Sequence, residues 1–205
     1  MVTEVLDMHA RINYVDIKPA SMGEVDEFWR TVVKGYEGLA RGFFLRDADT
    51  PHTLSVVVFN TEKQMVDNTE QQLGAVVKQA SSHRLTEPEL HHMEIGAYVD
   101  FDAEGAGCAR VLELTLKPER MHEVADDWAE QVAKYRDNSA LRGGYMCCNR
   151  DTGKVRSITF WGSKDDVLAN ESGGAMNAAV GPYEDIIAVP PVKSYWDVRV
   201  EVLGG

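Results

Sequence analysis

The chain contains one stretch twice. Ala10-Arg11 followed by Lys18-Pro19 returns as Ala109-Arg110 followed by Lys117-Pro118. Behind it, Met22, Glu24, Val25, Trp29, Val33 and Tyr36 return as Met121, Glu123, Val124, Trp128, Val132 and Tyr135. The offset is 99 residues, and 10 of the 27 positions from 10 to 36 are identical. A repeat of this length predicts a duplicated structural unit. It divides the 205 residues into two pieces near the size of a small domain. The repeat places the units at 8–102 and 108–203, joined by the short linker Asp102-Ala103-Glu104-Gly105-Ala106-Gly107.

Each unit opens with a strand. Leu112, Leu114 and Leu116 alternate along one face, and Arg11, Asn13, Val15 and Ile17 occupy the matching positions. Lys-Pro ends the strand, because proline has no N–H to give the ladder. An amphipathic helix follows: Val25, Phe28, Trp29, Val32, Val33 and Tyr36 form one stripe at helical spacing. Trp29 and Trp128 lie on that stripe and read as core. A hairpin comes next, turning at Asp47-Ala48-Asp49-Thr50-Pro51 and at Asp151-Thr152-Gly153. An offset of 101 residues aligns the hairpins through Arg41/Arg142, Gly42/Gly143 and Phe59/Phe160, which pairs Asn60 with Trp161.

A second helix starts near Glu62 and near Lys164, with loops expected over 81–92 and 173–191. Closing strands are expected at Ile95–Phe101 and Tyr195–Val202. The order is β-α-β-β-α-β, twice, which is the ferredoxin-like unit. Its helices cover one sheet face and leave an apolar face to be buried. The expected fold is therefore α+β: two tandem ferredoxin-like units forming an intramolecular dimeric α/β barrel, a pseudo-dimer within one chain that can pair again as a homodimer.

A formal net charge of −12 argues against a nucleic-acid backbone or an anionic membrane surface as partner. No apolar run is long enough for a membrane span. The opening Met1-Val2-Thr3-Glu4-Val5-Leu6-Asp7 has no basic-then-apolar pattern, so no secretory signal is expected. Cys108, Cys147 and Cys148 make no framework, and strand neighbours point to opposite faces, so Cys147 and Cys148 should not bridge. These features predict a reduced, cytoplasmic protein.

With these elements placed, both units resemble antibiotic biosynthesis monooxygenase-like domains of the dimeric α/β-barrel superfamily. The carrying residues are the strand ending in Lys-Pro before the helix stripe, Leu39-Ala40-Arg41-Gly42-Phe43-Phe44, and Phe160-Trp161-Gly162-Ser163-Lys164-Asp165-Asp166-Val167. The resemblance implies cofactor-independent oxygenation of an aromatic or polycyclic small molecule in a pocket between sheet and helices. The substrate itself would activate oxygen as a carbanion. Trp161 matches the family's Trp at the end of the third strand. The family's anion-stabilising Asn, four residues earlier, is replaced at Val56 and Ser157.

A second branch of the superfamily degrades heme. Ile12-Asn13-Tyr14-Val15-Asp16-Ile17-Lys18-Pro19 is similar to its first strand, with Asn13 at the Asn and His83 as the nearest candidate axial ligand. The expected catalytic residues are thus Asn13, Asn60 and Trp161, with His83 and Tyr145 lining the substrate site; no cofactor is expected, with heme as the alternative. A binding protein of the same fold, without catalysis, is the third reading. His83, His91 and His92 lack metal-ligand spacing, so no metal is expected. Asp126-Asp127 and Asp165-Asp166 read as solvated helix surface. Tyr183 fits a pocket wall or the core. Asn13 faces Leu112 and Asn60 faces Trp161 across the repeat, so the two pockets are expected to be unequal, with at most one of them catalytic.

Overall fold

The computed structural model describes residues 7–100, 105–134, 140–174 and 180–204. The elements run β1 (His9–Asp16), α1 (Met22–Lys34), β2 (Leu39–Arg46), β3 (His52–Phe59), α2 (Glu62–Asn68), a π turn (Thr69–Leu73), α3 (Gly74–Gln79) and β4 (Glu89–Asp100). They continue as β5 (Cys108–Leu116), α4 (Met121–Ala133), β6 (Leu141–Asn149), β7 (Lys154–Trp161), α5 (Lys164–Ser172) and β8 (Ile187–Leu203). The pattern is βαββαβ twice, with α2 and α3 continuous through the π turn. Hydrogen bonding orders the strands β1-β3-β2-β8-β5-β7-β6-β4 and closes them into a barrel. The fold is the α+β barrel of two fused ferredoxin-like units.

Two compact units divide the chain inside two of its strands. One comprises Leu6–Glu94 with Asp197–Gly205, and the other Ile95–Trp196. The division cuts β4 after Glu94 and β8 after Trp196. Both strands start earlier than the sequence suggested: β4 at Glu89 rather than Ile95, β8 at Ile187 rather than Tyr195. Their leading halves are largely exposed and polar or proline-bearing, so no period-two apolar pattern announces them.

In the N-terminal unit, β3 lies between β1 and β2, all antiparallel. The stripe of α1 packs on one face: Val25, Val33 and Tyr36 join Phe44, Val57 and Phe59 in a buried cluster, with Trp29 and Val32 against it. Trp29 stacks on Phe44, ring centroids 5.6 Å apart. A Cβ at Gly42 would sit 2.8 Å from Val33 and 3.0 Å from Trp29, so glycine is what lets the helix approach here. The strand residues on the other face, Ile12, Val56 and Leu54 among them, are wholly buried too. At the hinge of the hairpin Asp47 Oδ1 accepts from the N–H groups of Asp49 and Thr50.

The C-terminal unit repeats this with β7 between β5 and β6. Its register corrects the hairpin alignment. His9 faces Phe59 in the first unit, and Cys108, its equivalent at offset 99, faces Trp161 in the second. Leu39 faces Phe59 and Leu141 faces Trp161, each beside the same bulge. Asn60 N–H bonds to Gly38 C=O as Gly162 N–H bonds to Ala140 C=O. Thr61 caps α2 as Ser163 caps α5. The true hairpin offset is 102. Trp161 is therefore the counterpart of Phe59, not of Asn60, and Ser157 is the counterpart of Ser55, not of Val56. A slip of one residue exchanges the two faces of a strand, so the correction moves the site residues.

Candidate functional site

In each unit a cavity lies between the helices and the sheet. The C-terminal cavity, about 110 Å3, is walled by Leu112, Leu114, Trp128, Val132, Met146, Val155 and Trp161, with Arg110, Gln131, Ser157, Thr159, Asn170 and Tyr183 as its polar lining. The N-terminal cavity, about 80 Å3, is walled by Val15, Trp29, Val32, Phe44, Val57 and Val76, with Arg11, Asn13, Ser55 and Arg84 as polar lining. An apolar cavity of about 150 Å3 takes a benzene ring. Each cavity is therefore of the order of one small ring.

The chemistry of the C-terminal cavity concentrates on β7. Ser157 and Thr159 are two residues apart, so they share a face. Both are buried. Trp128 Nε1 donates to Ser157 Oγ at 2.8 Å, and Trp161 Nε1 donates to Thr159 Oγ1 at 2.9 Å. A hydroxyl that accepts one bond keeps its own O–H to donate, and accepting polarises it. Neither hydroxyl donates to another of the described residues. The pair thus presents two donors to the cavity, held by indoles at 2% exposure (Trp161) and at partial burial (Trp128).

Arg110 closes one end, its guanidinium 5.8 Å from the centre of the Trp161 ring. Behind it stands Glu171, 3.5 Å from Arg110 and bonded to Lys193 and Tyr195. Burial raises the Glu171 pKa, but the Lys193 and Tyr195 hydrogen bonds and the Arg110 and Lys193 charges outweigh it and leave it below the usual value. Tyr183 lines the cavity and donates to Asp127. Burial first, and then that bond, push the Tyr183 phenol up. Asp127 also accepts from Gln131, so this carboxylate is a tether rather than free helix surface.

The expected site residues separate. Asn13 and Trp161 line or wall different cavities. Asn60 is exposed at the end of β3, outside both linings. Tyr145 is buried on the opposite face of β6 from Met146, stacked 6.2 Å from Tyr98 and edge-on to Phe160. His83 also lies outside the linings, with Nδ1 3.7 Å from Glu24. The residues present do not fit heme: the proposed ligand is not in the cavity, and about 80 Å3 is far too little for a porphyrin. No group of three or more metal-type ligands occurs among the described residues.

Sequence reasoning passed over Ser157, Thr159 and Arg110. Their signals were present: two hydroxyls alternating with Ile158 and Phe160 in an apolar strand, and an arginine kept in both copies of the repeat.

Comparison of the structure with solved ones places the fold. An anthrone oxidase-like protein matches with a TM-score of 0.73 and 15% identity, over 100% of this chain and 96% of that one. A candidate monooxygenase from Fusobacterium nucleatum matches at 0.77 and 13%, over 98% and 97%. The chain shares the fold of these two proteins. A heme-degrading enzyme from Listeria monocytogenes also matches, at 0.53 and 7%, over 91% and 98%. No protein-family model matches the sequence, and no curated protein matches it either. No helix among the described residues is long and apolar enough to cross a membrane.

Proposed function

We propose that this protein is a cofactor-independent monooxygenase of an aromatic small molecule, working in its C-terminal cavity. One observation carries the reading: Ser157 and Thr159, each accepting from an indole N–H, line an apolar space beside the Arg110 guanidinium. Donors fixed in a dry site stabilise a developing oxyanion far better than water does, because they need not reorganise.

The substrate that suits this arrangement is a single-ring phenol or hydroquinone, whose phenolate places carbanion character on a ring carbon. Its oxygen accepts from Ser157 and Thr159. The phenolate form is favoured by those bonds and by the Arg110 charge, so the hydroxyl loses its proton more readily. No carboxylate lines the cavity among the described residues, and the proton leaves to solvent. The carbanion adds dioxygen, the peroxide takes a proton, and loss of water leaves a carbonyl. One oxygen atom ends in the product and the other in water. Trp128 and Trp161 wall the ring and hold the hydroxyls in place.

Oxygen uptake with single-ring phenols and substituted hydroquinones, in chelator-treated and flavin-free buffer, tests the reading. We expect turnover with one atom of labelled dioxygen in the product. Ser157→Ala and Thr159→Val should each lower kcat by about 10²- to 10³-fold, the usual cost of one oxyanion donor. Uptake at background across the panel, or uptake only with added flavin or metal, overturns it. A hemin titration that develops a Soret shift would point to the heme alternative instead.

A further inference from the structure

We propose that the N-terminal cavity is a second binding site, specific for a small neutral phenol whose hydroxyl bonds to Asn13. The side-chain oxygen of Asn13 is buried and has no hydrogen-bond partner. A buried acceptor left unpaired is expensive, and nearly all such groups in native proteins are satisfied. Asn13 lines a cavity walled by Trp29, Phe44 and Val57, which suits one small ring. Ser55 lies directly across from Asn13 in the β1–β3 register and lines the same space. A hydroxyl both donates and accepts, so a phenol can serve the amide in either orientation together with Ser55.

The fold does not require this amide. Leu112 occupies the same place on β5, facing Ser157 as Asn13 faces Ser55. The amide therefore points to a ligand rather than to the strand. Of the features of the sister cavity that favour an ionised oxygen, the second hydroxyl and its indole donor are missing here. Val57 stands where Thr159 does, and Trp29 stacks on Phe44. Arg11 lines this cavity as Arg110 lines the other, but its guanidinium already donates to Asn68 and Thr69 and lies over the Tyr36 and Phe59 rings, which leaves Asn13 as the unpaired polar group. What remains recognises a neutral hydroxyl on an apolar body.

The inference does not depend on oxygenation in the other cavity, and its test reads binding alone. Phenol and its near-isostere toluene are titrated into 15N-labelled protein. The side-chain amide of Asn13 reports on this cavity, and those of Gln131 and Asn170 report on the C-terminal one. We expect phenol to shift the Asn13 signal with an affinity at least tenfold above that of toluene. In Asn13→Leu, followed through the backbone amides of Val15 and Val57, that preference should vanish while toluene binding persists. A preference below tenfold in the wild type, or one that survives Asn13→Leu, overturns the proposal. The wild-type comparison needs no variant, so it stands even if Asn13→Leu folds poorly.

Discussion

At the level of single residues, the two indole–hydroxyl bonds link packing to chemistry. Trp128→Phe keeps the ring but removes the N–H from Ser157. Loss of one buried hydrogen bond costs about 1 kcal/mol, so the urea midpoint should fall modestly, with a larger fall in turnover than the stability loss accounts for. The buried thiol makes a pH prediction. Burial first, with Cys148 beside it, pushes the Cys147 thiol up. Burial likewise raises the Tyr36 phenol against the opposing pull of Arg11. Both groups are held neutral when folded and ionise more easily when unfolded. Their contribution is full below the unfolded values, about 8.5 and 10, and is lost as pH rises past them. Stability by urea unfolding should be flat from pH 7 to 8 and decline above about 9. A flat profile to pH 10.5 would contradict the burial of these groups. These residues were poorly legible beforehand. The Phe59/Phe160 identity invited an alignment one position out, which set Asn60 against Trp161 and hid the equivalence of Ser55 with Ser157. Periodicity identifies faces, but only pairing fixes which face a residue takes.

Among the elements, helices were read more securely than strand starts. The stripes of α1 and α4 show because aromatic and β-branched residues repeat at helical spacing over more than three turns. The early parts of β4 and β8 are exposed, and nothing in their sequence marks them as strand. Glycines separate the two kinds of constraint. Gly153 has φ +72°, and a Cβ there would lie 2.0 Å from the Leu116 carbonyl oxygen. Gly153→Ala should destabilise by about 2 kcal/mol or more, from the left-handed conformation and the clash. Gly74 sits in helical conformation at the start of α3 with nothing within 4 Å of the added carbon. Gly74→Ala should stabilise by about 0.5–1 kcal/mol. Thermal unfolding of the pair checks both signs, and equal effects would contradict the turn geometry.

For the whole molecule, the duplication was legible from the first 36 residues and their echo, and with it the βαββαβ plan. The division of labour was not, because it rests on three substitutions that are ordinary as composition: Asn13 for Leu112, Val57 for Thr159, Phe59 for Trp161. Each exchanges a polar or large group within an unchanged frame. Together they give one cavity suited to an oxyanion and another suited to a neutral hydroxyl. The most direct test is a crystal structure grown without oxygen in the presence of a turned-over hydroquinone. The account predicts ring density between Trp128 and Trp161, with a substrate oxygen within hydrogen-bond distance of both Ser157 and Thr159. Density for that ring against Asn13 alone, or outside both cavities, would contradict it.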